Sequence, residues 1–129
     1  MKIENQVCSL EQSKRLLGLG IEGNSFFMWH IGGVTGEWIV IDSVHSNITN
    51  EDFPAFTLSE LGQMLNSETY TQRTGSEDSE YANWEWINDG NETGSGLFGY
   101  EVWARADMLI ACLENGSLSS ENCNKRLVA

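Results

Sequence analysis

Basic residues are scarce in this chain and nearly missing from its middle. Seven Lys and Arg stand against nineteen Asp and Glu, so the formal net charge is -12. Lys2, Lys14 and Arg15 come early, and Arg105, Lys125 and Arg126 come late. Between residues 16 and 104 the only base is Arg73, while the same span holds fourteen acids. Such a surface repels nucleic acid and anionic lipid and attracts cationic partners. Direct nucleic-acid binding and membrane-surface binding are therefore not expected. The plainer use of the same charge is solubility.

Histidine is scarcer still, with only His30 and His45. No H-x-x-x-H or C-x-x-C spacing is present. A zinc or iron site needs three or four convergent ligands, so no metal site and no cofactor are expected. Cys8, Cys112 and Cys123 are odd in number and read as reduced thiols. No apolar run approaches the roughly 20 residues that span a bilayer. The first residues carry Glu4 and lack the apolar region of a signal peptide. A cytoplasmic protein is expected. Matches to the glycosylation pattern at Asn47, Asn91 and Asn115 then carry no meaning.

Aromatic and aliphatic residues are plentiful by contrast. Hydrophobic residues make up 40% of the chain and five are Trp, enough for a real core. The 129 residues suggest one domain, drawn here as 1–116 with a polar, loosely attached tail at 117–129. The organising stretch runs from Glu101 to Glu114. Val102, Ala106, Leu109 and Leu113 share a helical stripe, which Trp103, Ile110 and Cys112 widen. Asn115-Gly116 supplies a left-handed stop.

Two shorter helices carry capping boxes. Ser9 with Gln12 opens the first, and Gly18 or Gly20 ends it; Thr57 with Glu60 opens the second, just after Pro54. Residues 25–31 and 37–42 read as a hairpin around the turn Gly32 to Gly36. Both strands are apolar on both sides. Phe26, Met28 and His30 face one way; Phe27, Trp29 and Ile31 face the other. Such a sheet is covered twice, or keeps one face for binding. Residues 43–56 read as polar and turn-rich. Residues 70–73 and 81–88 read as strands, with a short return strand at Leu97-Phe98. The order α-ββ-α-β-ββ-α predicts an α+β domain: one small antiparallel sheet of about four to five strands in two hairpins, with three helices packed on it.

The segments Asn5 to Gln12 with Leu16 to Gly20, Pro54 to Leu65, and Ala104 to Ile110 with Leu113 to Gly116 resemble a group of small uncharacterised proteins carried by phages and mobile elements of gut-type bacteria. The resemblance implies a fold and a phage or mobile-element setting, with the bacterial host cytoplasm as location. It implies no reaction.

Candidate chemistry is thin. His30 reads as a histidine at a strand end or sheet edge. Cys8 precedes a helix N-terminus, where a thiolate would be favoured. The Gly-rich run from Gly90 to Gly99 lacks the Lys of a P-loop and holds Glu92, so turn formation explains it. No catalytic residue is assigned. Trp84 and Trp86 flank Glu85 on a strand, and Glu77, Asp78 and Glu80 form an acidic loop read as an exposed rim. These six are the candidate binding residues. The expected function is a non-enzymatic, acidic accessory protein engaging a protein with a basic surface, including by imitation of nucleic acid. The alternatives are a small-ligand domain that binds a nucleotide or sugar on an aromatic sheet face, and a small hydrolase.

Overall fold

Local capping signals decide where the first helices begin. In the structure, a computed structural model, the Ser9 hydroxyl accepts from the Gln12 N–H at 3.1 Å and the Gln12 side chain accepts from the Ser9 N–H at 3.0 Å. The helix α1 follows at Leu10–Gly18. Thr57 and Glu60 repeat the device ahead of α2, Leu58–Met64. The residues described are 2–22, 25–33, 35–43, 51–65, 69–74, 83–88, 92–93 and 100–128, with backbone alone from 69 to 93.

A short 3-10 turn, Ile3–Asn5, precedes α1. The predicted hairpin forms as β1, Phe27–Ile31, and β2, Trp38–Asp42. Their register pairs Phe27 with Asp42 and Ile31 with Trp38. A two-residue strand, β3 at Phe53–Pro54, pairs with the other side of β1. Proline has no N–H to donate, which suits this outer position.

The single sheet expected from the pattern is two sheets among the described residues. The first has the order β2-β1-β3; the second joins β4, Thr69–Thr74, β5, Asn83–Asn88, and β6, Glu92–Thr93. Both are antiparallel. Two strands of two residues each, β3 and β6, escaped prediction because periodicity needs longer runs to show. The return strand expected at Leu97-Phe98 lies outside the described residues.

The helix count also changes. Besides α3, Glu101–Glu114, a fourth helix, α4, occupies Ser120–Val128 in the tail expected to be loosely attached. Its composition is polar, but it buries Cys123 completely and follows the buried Leu118. Arg126 donates from Nε and Nη2 to the Met64 carbonyl at 3.1 and 2.8 Å, satisfying an end of α2 that a short helix leaves open. Gly20, at φ +99°, lets the chain leave α1 beside α4; a Cβ there would meet Ser120 Oγ at 2.7 Å.

The main core joins α1, α2, α3 and α4 through Leu16, Phe56, Leu61, Met64, Leu109 and Cys112, all fully buried. Each such Leu, Phe or Met side chain contributes about 1.5–3 kcal/mol of burial. α3 buries Ala104 and Met108 as well as Val102, Ala106 and Leu109 of the predicted stripe, with Leu113 partly buried; it touches α1 and α2 and also β4 and β5. Trp103 Nε1 donates to the Val7 carbonyl at 3.0 Å and Gln12 Nε2 donates to the Trp103 carbonyl at 2.8 Å, tying α3 to α1. Gly116 ends α3's turn at φ +83°, as its sequence context predicts.

Candidate functional site

The β2-β1-β3 sheet is apolar on both faces and neither is fully covered: Ile31 is 41% exposed on the inner face, and Phe26 and Ile39 are exposed on the outer one. The inner face carries Phe27, Trp29, Trp38, Val40 and Phe53, packed with Val7, Leu10 and Ala55. Trp29 donates from Nε1 to the Cys8 carbonyl at 3.0 Å. Lys14 Nζ lies 5.5 Å from the Trp38 ring centroid and 5.6 Å from that of Phe53, within cation–π range.

The outer face is read from the opposite parity: Phe26, Met28 and His30 with Ile39 and Ile41. Met28 is buried, but Phe26 is 66% and Ile39 41% exposed. Phe26 is exposed without being loose. Its N–H donates to Glu60 Oε2 at 3.2 Å and its carbonyl accepts from the Ser43 N–H at 2.9 Å. The buried Glu60 carboxylate also accepts from Ser25 Oγ and from the Thr57 N–H, both at 2.9 Å. One side chain thus caps α2 and fixes the entry of β1. Its hydrogen bonds offset the cost of burying a carboxylate.

His30 sits near the end of β1, as expected, but in the central strand of its sheet and not at a sheet edge. Its Nδ1 lies 2.7 Å from Asp52 Oδ1. Against an ionised carboxylate, which only accepts, Nδ1 is the donor. The Asp52 side chain is 2% exposed and that of His30 31%. Such a pair can orient an imidazole for proton transfer. Acyl transfer also needs a nucleophile, and among the described residues no hydroxyl or thiol is hydrogen-bonded to the His30 ring.

Cys8 does not fill that role. It is fully buried, and burial, the main cause, pushes its thiol up to about 12. Its Sγ lies 3.8 Å from the Pro54 carbonyl. Any pull of the helix N-terminus toward a thiolate is outweighed by desolvation. Burial likewise raises the Cys123 thiol. No group of three or more His, Cys, Asp or Glu among the described residues is placed to hold a metal ion.

The six residues singled out from sequence fall elsewhere. Trp84, Glu85 and Trp86 lie on β5, in register with Arg73, Gln72 and Thr71 of β4. Glu77, Asp78 and Glu80 lie outside the described residues. Neither Phe26 nor Ile39 was singled out, although the two-faced pattern of residues 25–42 already signalled a surplus apolar face. Asp52 carried no such signal, since its partner lies 22 residues away; the capping role of Glu60 was legible, but not its hold on Phe26, 34 residues away.

The described bases are largely engaged within the chain. Arg15 pairs with Glu114, Arg105 with Glu101 and the Leu58 carbonyl, and Lys125 with Glu121. Arg126 is held by Met64 and Lys14 by the two rings. Glu11, Glu22 and Glu37 are exposed. Among the described residues no helix is long and apolar enough to cross a membrane.

No family model, curated protein or solved structure matches the chain.

Proposed function

We propose that this chain is an interaction protein that engages a protein partner with a basic surface. One observation carries the reading. The acids outnumber the bases by twelve, and of the bases whose side chains are described all but Lys2 have partners among the chain's own carboxylates, carbonyls and rings. Little positive charge is left to answer an external acid, while exposed carboxylates remain to meet an external base. The exposed Phe26 and Ile39 add apolar area beside that charge. A phage or mobile-element accessory role is part of the proposal, supported by the resemblance of the three helical segments.

The test is affinity capture from a bacterial lysate, identification of what is retained, and titration of the purified partner at several salt concentrations. A protein with a basic surface should be retained, and its affinity should fall about tenfold or more as salt shortens the screening length below about 8 Å. Neutralising Glu77→Gln, Asp78→Asn and Glu80→Gln together should slow association. Retention of no basic protein, or an affinity indifferent to salt, sinks the reading.

A further inference from the structure

We infer that β2 takes up a basic, extended segment of the partner as an added strand on its open edge. The inference rests on the reading of the chain as an acceptor of basic proteins, and names how and where it accepts them.

Among the described residues β2 is an outer strand, with β1 on one side only. The Gly32 N–H donates to the Glu37 carbonyl and the Ser43 N–H to the Phe26 carbonyl. In an antiparallel ladder such bonded pairs recur every second residue, so Ile39 and Ile41 also bond inward to β1. Trp38 and Val40 therefore turn one N–H and one C=O each to the open side. The turn Ile3–Asn5 lies near β2, and the backbone N–H groups of Asn5 and Gln6 bond within the turn to Lys2 and Ile3.

Outer strands are usually protected by a proline, a lysine, a bulge or a very short length. β2 has none of these. It runs Trp-Ile-Val-Ile-Asp in unbroken register over five pairs. A strand laid along it would set its own side chains beside Ile39, at roughly 5 Å spacing. Phe26, one strand further in, stands out from a backbone held at both its N–H and its carbonyl, so little freedom is lost when it is covered.

Charge selects the occupant. The exposed Glu37 precedes β2, and the chain carries -12. A segment alternating apolar residues with Lys or Arg meets both the edge and this charge. A second copy of this chain does not, because each copy carries -12 and brings the same acid.

The probe is the synthetic peptide Lys-Val-Lys-Ile-Thr-Val-Lys, read by amide exchange on the full chain. The Trp38 and Val40 N–H groups should gain protection when peptide is added. Val40→Pro removes an outward N–H that the fold does not use. It should stay folded by circular dichroism and weaken the peptide and any captured basic partner about tenfold or more. If Val40→Pro unfolds, protection of the two amides in the unaltered chain decides alone. A basic partner that binds Val40→Pro undiminished and leaves both amides unprotected overturns the edge and leaves the basic-partner reading standing. Protection that appears only with self-association overturns the choice of occupant. If neither the peptide nor any basic protein binds at low salt, both readings fall.

Discussion

The two faces of the β2-β1-β3 sheet are built from similar residues and meet different surroundings. The inner face packs Trp29, Trp38 and Phe53 with Val7, Leu10 and Ala55, and leaves Ile31 exposed at its end. The outer face keeps Phe26 and Ile39 in water while Glu60 and Ser43 hold the backbone beneath. Apolar content therefore does not decide burial here; what packs against each position does. An apolar residue that the fold leaves exposed and holds firmly is available for something other than the fold.

The largest difference between the faces should appear on truncation. Trp29→Ala removes a buried indole and its hydrogen bond to the Cys8 carbonyl, and should cost about 3–5 kcal/mol. That is a large share of the roughly 5–15 kcal/mol typical of a domain. A urea melt measures it. A loss below about 1 kcal/mol would show that the inner face is not core.

High pH probes the same boundary from its other side. Cys8 lends its carbonyl to Trp29, and burial pushes its thiol up to about 12 from its ordinary value of 9.0. Between those values the folded chain keeps a proton that the unfolded chain has released. The unfolded state then binds fewer protons, so stability falls as pH rises through this window, by a few kcal/mol at most. Cys123 shifts in the same direction. Melts of the parent and of Cys8→Ala between pH 8 and about 12 should converge at the alkaline end. Equal slopes in both proteins would remove Cys8 as the cause.

A smaller effect belongs to the cap that seats α1 over the inner face. Ser9→Ala should cost about 1 kcal/mol by orphaning the Gln12 N–H. A denaturant melt that moves by less than about 0.3 kcal/mol would mean that water replaces the hydroxyl without cost.

These comparisons also show which features sequence can carry. Capping boxes at Ser9 and Thr57 are local, four-residue statements, so α1 and α2 begin where they were expected to. The limits of α3 and the hairpin register follow from patterns long enough to read. What failed was non-local or short. β3 exists because β1 offers it a side, and α4 because α2 offers its carboxyl end to Arg126. The outer face was legible as a surplus of apolar residues at positions 26–31 and 38–41, but not its exposure, which depends on where the rest of the chain packs. Glu60 illustrates the limit. Its capping role is written in the Thr57 spacing, while its hold on Phe26 depends on tertiary placement.

The outer face should yield the smallest change in stability and a large change in binding. Phe26→Ser and Ile39→Ser replace side chains that are 66% and 41% exposed. Little packing is lost, so each should shift stability by no more than about 0.5 kcal/mol, as exposed sites do. Phe26 keeps its backbone bonds to Glu60 and Ser43 after the change, because neither uses its side chain. Removal of the ring therefore tests recognition apart from folding. The double variant should melt with the parent and bind a basic partner at least about tenfold more weakly, since truncating an aromatic anchor costs more than about 1 kcal/mol at a true contact. Unchanged affinity with unchanged stability would move the contact surface off this face. A loss of several kcal/mol in the melt would show instead that the outer face is covered, and that the two faces differ less than their exposures indicate.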